Sequence, residues 1–215
     1  ATGRPLVFAD VYGPQEVGLV KSLGGDGGMI TGVTAKVPVI TLIKAGLETR
    51  PFKTLGVVYH SREAGSVVQL REMQRLAGRQ GFTVREANVT TTASLESAVA
   101  ALLSQVDCLY VTECVTANRQ FDKIVNRASV AKVPVLSLMP DAAERGALLS
   151  LEVDPVEQGQ LAADYVARIL GGSQSGQLPV RVPRQIKLVL NMKTARLLDV
   201  SVPFEVLSMV TKVVK

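Results

Sequence analysis

The chain has 215 residues, 47% hydrophobic and 20% charged, a globular composition that excludes a disordered chain. Aromatic residues are 4% with no Trp, which argues against base-stacking platforms and leaves Val, Leu, Ile and Ala to build the core. The net charge of +5 is spread along the chain, the densest cluster being Arg181, Arg184 and Lys187, so it reads as a solvated surface rather than a nucleic-acid footprint.

In chain order, residues 4–11 (RPLVFADV) predict a strand and PQEVGLVKSL (14–23) a short helix. Then comes the glycine run SLGGDGGMITG (22–32). A phosphate-cradling loop sits after a strand and before a helix, but here the order is reversed and no Gly-Lys-Ser/Thr follows. The run therefore predicts a helix cap followed by a crossing segment.

From Phe52 strand and helix alternate. Strands are predicted at 54–60, 82–89, 108–113, 133–138 and 147–153, and helices at 66–80, 92–105 and 118–131. Asp154-Pro155-Val156-Glu157 opens a further helix, with Asp as N-cap and Pro at the first position, and Gly171-Gly172 ends it. A connector (171–185) leads to a strand at 186–191, a helix at 193–200 and a tail. Short connections between alternating elements predict βαβ units and a mostly parallel sheet.

Chemistry-bearing clusters are sparse. Cys108 and Cys114 flank one strand, about 20 Å apart when extended, so they cannot bond to each other. The single histidine, His60, and two separated cysteines do not make a zinc site, and no Gly-x-Ser-x-Gly elbow is present. No enzyme, cofactor or metal is implied. No run of about 18 apolar residues occurs, and the residues from Ala1 onward are expected to form a strand rather than a signal peptide.

The order of segments resembles a known family. RPLVFADVYGPQEVGLVKSLGGDGGMITGV, KTLGVVYHSREAGSVVQLREMQ, DCLYVTECVTANRQFDKIVNRASVAKVPVLS, ERGALLSLEVDPVEQGQLAADYVARILGG and LVLNMKTARLLDVSVP together look like the substrate-binding proteins of ABC transporters, of the tryptophan/tyrosine type. The resemblance implies an α/β, type I periplasmic-binding-protein-like fold, with one complete parallel-sheet βαβ lobe plus a fragment of a second lobe. It places a first-lobe remnant and crossover at 1–33, the complete second lobe at 34–183 and a return segment with tail at 184–215. Most of a first lobe would then lie before Ala1, leaving the strand at 4–11 with an unpaired edge and predicting a homodimer or strand exchange.

The resemblance implies an extracytoplasmic protein that closes by hinge motion on a small ligand and delivers it to an ABC permease. The hinge would be the segments near 28–33, 172–185 and after Asn191. Ligands of such sheets bind outside the carboxyl ends of the strands. The implied ligand contacts are Ser61, Arg62 and Ser66 in the loop opening the helix after the 54–60 strand, Thr112 and Glu113 after the next, Met139, and Asp10 with Tyr12 from the first lobe. The loop would hold a ligand carboxylate and Glu113 would pair with an ammonium group. On residue chemistry alone, Ser66 reads equally as a helix N-cap and Glu113 as a solvated carboxylate. Gly65, Cys114, the Met139-Pro140 pair and Tyr12-Gly13-Pro14 stand where the family tends to carry more polar residues, which makes the pocket more apolar. A protein-interaction or sensor domain that has kept the fold without a ligand is the alternative.

Overall fold

The computed structural model describes residues 3–215. They form two compact units: residues through Val37 with Val153–Ile186, and Pro38–Glu152 with Lys187–Lys215.

The larger unit is built on a seven-stranded sheet. Helix α1 (Val39–Thr49) leads into strand β3 (Thr54–Tyr59), helix α2 (Ala64–Gln80), β4 (Thr83–Asn88), α3 (Thr92–Leu103) and β5 (Cys108–Val111). After β5 come α4 (Val115–Arg119), α5 (Phe121–Val130), β6 (Val135–Ser137) and β7 (Leu149–Val153). The unit ends with β8 (Ile186–Asn191), α7 (Met192–Leu197), α8 (Phe204–Met209) and β9 (Lys212–Val214).

The strand order is β4-β3-β5-β6-β7-β8-β9. Strands β3 and β4 run parallel with Val57 opposite Glu86, and β3 and β5 run parallel with Val57 opposite Tyr110. Interior strands are short apolar runs because both faces are covered: all four residues of β5 and all three of β6 are buried. Between the sheet and helices α3 and α5 lies one continuous core that includes Val58, Val99, Leu109, Val111, Phe121 and Ile124. Helix α2 ends where Gly81 adopts φ +78°, a left-handed cap suited to glycine, and its N–H closes on the Ala77 carbonyl.

The smaller unit has two parallel strands, β1 (Leu6–Val11) and β2 (Ile30–Thr34), with helix α6 (Pro155–Leu170) packed on them. Asp154 caps α6 as its sequence demands, accepting from the Val156 and Glu157 N–H groups at 2.9 and 3.2 Å. Apolar packing around β1 is slight, with Phe8, Val20 and Val180 at its centre. Polar side chains supply the rest. Gln158 accepts from the Asp10 N–H at 3.2 Å and donates to the Thr34 carbonyl at 3.1 Å, tying together the ends of β1 and β2. Tyr165 is buried with its hydroxyl on the Pro179 carbonyl. The Arg181 guanidinium lies 4.2 Å from the Tyr165 ring centre and 2.6 Å from Asp164.

Several expectations fail here. No helix forms over 14–23: the segment makes turns, and Gly18 at φ +73° breaks the one turn that starts at Gly13 and Pro14. The glycine run neither caps a helix nor crosses between units. Its Gly27 N–H donates to the Gly176 carbonyl at 3.0 Å, and a Cβ on Gly176 would strike the backbone of Gly27 and Gly28. The glycines are there so that two backbones can touch. The division of the chain also differs from the expected boundaries. Helix α6 belongs with β1 and β2, and residues 187–215 belong with the larger unit, where β9 pairs with β8 and the Asn191 N–H reaches the Leu148 carbonyl at 3.0 Å. The chain therefore passes between units at 37–38, 152–153 and 186–187; the first and last lie just beyond the expected segments 28–33 and 172–185, and the crossing at 152–153 is not among those expected. Helices α1 and α8 and strand β9 were not anticipated at all.

Candidate functional site

In the larger sheet β3 and β5 are neighbours, but the chain leaves them in opposite directions, toward β4 from β3 and toward β6 from β5. Their carboxyl ends mark a topological switch point, where the two outgoing loops diverge and leave a crevice. Residues 60–63 follow β3 there and residues 112–115 follow β5.

The two loops are stitched by one face of α2. Glu63, Ser66 and Gln69 recur at three-residue spacing, which places them on one side of the helix. The Glu63 carboxylate, at the N-cap position of α2, accepts from the Val115 N–H at 3.1 and 3.2 Å. Ser66 Oγ lies 2.7 Å from Thr112 Oγ1 and accepts from the His60 N–H at 2.9 Å. Thr112 Oγ1 donates to the Val58 carbonyl at 2.9 Å, so Ser66 is the donor in the pair. Gln69 Nε2 donates to Glu113 Oε2 at 2.7 Å, and its Oε1 accepts from the Glu113 N–H at 3.2 Å and the Tyr110 hydroxyl at 2.9 Å.

The expected contacts therefore separate. Ser66 and Thr112 come together but are fully buried, each hydroxyl accepting one bond and donating another. Ser66 is also not the helix cap, since α2 begins at Ala64. Ser61 and Arg62 are exposed on the rim. Ser61 is braced by Asn88 at the end of β4, which accepts from its N–H at 3.0 Å and donates to its hydroxyl at 2.9 Å. Glu113 is half-buried with its carboxylate held by Gln69. Met139 is 2% exposed and packs in the core shared with α3 and α5, so it does not line the rim; its N–H donates to the Ser137 hydroxyl at 3.1 Å. His60, expected at a loop edge, is buried: its Nδ1 accepts from the Arg62 N–H at 3.1 Å, which leaves the ring proton on Nε2, 4.0 Å from Glu63.

In the smaller unit Asp10, next to last in β1, adopts a left-handed conformation, φ +58°; the residue is exposed overall, and partial burial of its carboxyl raises it above the usual range. That backbone is costly for a non-glycine residue, and Asp tolerates it better than most. Tyr12 is buried.

Sequence reasoning missed Glu63, Gln69, Asn88 and Tyr110. The Glu-x-x-Ser-x-x-Gln repeat was the available signal for the first two. One acidic trio is the only metal-type grouping among the described residues: Asp141, Glu144 and Glu152 have carboxylate oxygens within 4.8 Å of one another. Lys212 pairs with Glu144, Ser150 donates to Glu152, and burial raises the Glu152 carboxyl. Both cysteines are buried, and burial pushes their thiols up, away from nucleophilic use. Among the described residues no helix is long and apolar enough to cross a membrane.

The chain is similar to characterised binding proteins. It is 26% identical over 198 residues to a tyrosine-binding protein of Clostridioides difficile, covering 91% of this chain and 57% of that protein, so it spans little more than half of that relative's length. It superimposes on a Streptococcus pneumoniae ABC domain solved in complex with L-Trp, with a TM-score of 0.91 at 29% identity, over 98% of this chain and 72% of that one. A conserved domain protein of Vibrio cholerae gives a TM-score of 0.91 at 33% identity, over 97% and 71%. These neighbours share the type I periplasmic-binding-protein-like fold with this chain. The model of the family of ABC transporter substrate binding proteins matches residues 1–214. The chain belongs to the ABC transporter substrate binding protein family.

Proposed function

We propose that this chain is the ligand-binding part of an extracytoplasmic solute receptor that serves an ABC uptake system and takes an amino acid with an aromatic side chain. The observation that carries the reading is the β3/β5 switch point, where Gln69 fixes the carboxylate of the half-buried Glu113 after β5, and Ser61 and Arg62 are exposed after the neighbouring β3. A carboxylate in that setting pairs with an ammonium group, and the Arg62 guanidinium and the loop N–H groups suit a carboxylate. Relatives described as binding tyrosine and L-Trp narrow the class. Ser66 and Thr112 shape the loops from beneath rather than touching ligand.

Isothermal titration of the full chain with L-tyrosine, L-tryptophan and L-lysine tests the reading. Saturable binding of an aromatic amino acid, with a rise in Tm and no response to L-lysine, is expected. No heat and no stabilisation with any of them would overturn it. That result would favour the second reading, a sensor or interaction domain without a ligand, which draws its support from the sealed Ser66–Thr112 pair and the core position of Met139.

A further inference from the structure

We propose that Gln69 is a positioning residue that presets the Glu113 carboxylate to receive the ammonium group of the ligand, an inference that rests on the amino-acid reading above. Gln69 has no exposed surface and lies on α2 among Val68, Leu70 and Met73, all buried apolar residues. A primary amide in such a row is costly unless every polar atom is bonded. Here the amide is bonded at both ends. Its oxygen takes two donors, the Tyr110 hydroxyl at 2.9 Å and the Glu113 N–H at 3.2 Å. Its nitrogen meets the Glu113 Oε2 at 2.7 Å. Donors on the oxygen and a carboxylate on the nitrogen fix the orientation of the amide by chemistry alone.

The consequence is local and specific. Gln69 holds the backbone and the carboxylate of the same residue, closing a ring that removes the rotamer freedom of Glu113. A glutamate on an unrestrained loop end would sample several rotamers, and a ligand would have to select one at an entropic cost. With the ring closed, the acceptor stands ready before the ligand arrives. Neither of the other two residues on this face of α2 can do this, since Ser66 grips the Thr112 hydroxyl and Glu63 the Val115 N–H. Tyr110 in turn anchors Gln69 from the interior of the sheet, so the chain of contacts runs from core to rim.

The test compares two ligands that differ only in the ammonium group, L-tyrosine and 3-(4-hydroxyphenyl)propanoate, by isothermal titration of the full chain. Three proteins are compared: wild type, Gln69→Met, and the exchanged pair Gln69→Glu with Glu113→Gln. Gln69→Met is expected to weaken L-tyrosine by about ten-fold or more while changing the desamino compound by less than about two-fold. The exchanged pair can remake the ring of hydrogen bonds but carries the charge at position 69, so it is expected to melt closer to wild type than Gln69→Met while still losing L-tyrosine selectively. It decides the matter if Gln69→Met does not fold. Equal weakening of both ligands, no weakening of either, or wild-type affinity for L-tyrosine in the exchanged pair would each overturn the positioning role. If the wild type binds only L-tryptophan, that amino acid and 3-(indol-3-yl)propanoate take the place of the pair; a wild-type protein that binds none of these compounds would overturn the amino-acid reading itself and the role of Gln69 with it.

Discussion

Each unit is stabilised internally by different physics. The larger one has a continuous apolar core and buried parallel strands, so its stability is spread over many side chains. The smaller one has two strands, one helix and a slight apolar cluster around Phe8, and depends on a few specific contacts. Gln158 bridges β1 to β2, Tyr165 reaches Pro179, Glu157 accepts from the Arg184 and Gln185 N–H groups at 3.0 Å each, and two glycine segments touch backbone to backbone. Distributed packing degrades gradually under substitution, whereas a structure resting on a few contacts fails at each of them.

The contrast can be broken at its sharpest point with Gly32→Ala. A Cβ at this position in β2 would run into the Phe8 carbonyl oxygen and ring, so the parallel pair cannot close. The loss should exceed about 4 kcal/mol locally, read as collapse of hydrogen-exchange protection in 6–11 and 30–34 while β3 and β5 stay protected. Phe121→Ala, a fully buried core truncation, is expected to cost about 3–4 kcal/mol in urea unfolding of the larger unit without abolishing its fold. Equal damage from both substitutions, spread over all elements, would remove the distinction. Gln158→Leu strands the Asp10 N–H and the Thr34 carbonyl and should cost about 1–3 kcal/mol, confined to protection of β1 and β2.

The smallest effect concerns pH. Burial raises the Glu152 carboxyl above its unfolded value, so the folded state holds a proton that the unfolded state gives up. The stability contributed by this group is full below the unfolded pKa and is lost as pH rises through the folded one. Glu152→Gln, which still accepts from Ser150, should therefore leave stability near wild type in acid and raise it at pH 7 by up to about 1 kcal/mol, as measured by urea titration at the two pH values. A gain that is the same at both would contradict the assignment.

The same difference explains what the sequence discloses. In the larger unit, periodic apolar runs such as TLGVVY and CLYV state their own burial, and strands β3 to β8 lie within a few residues of expectation. Helix α1 is absent from the sequence reading although it carries a signal: Pro38 precedes a run in which Val39, Leu42, Ile43 and Gly46 recur at helical spacing and are buried, but no break in composition sets it off from the segment before it. The smaller unit assembles pieces more than a hundred residues apart. Nothing local in PVEQGQLAADYV tells whether α6 packs on the large sheet or on β1 and β2, because an amphipathic helix fits either. The site was half legible. Strand ends pointed to the loops after β3 and β5, and of the expected residues on them Ser61 and Arg62 are exposed and Glu113 is half-buried. Whether a polar side chain faces ligand or a neighbouring loop depends on pairing across the sheet, and that pairing consumed Ser66 and Thr112 and drew in Gln69 and Asn88.

The central claim is that the β3/β5 switch point of the larger unit receives an aromatic amino acid. The most direct measurement is an amide-resolved NMR titration of the full chain with L-tryptophan. The account predicts saturable shifts concentrated at residues 60–63 and 112–115, with the Glu113 amide among the largest. Shifts that avoid those two loops, or no shifts at saturating ligand, would contradict it.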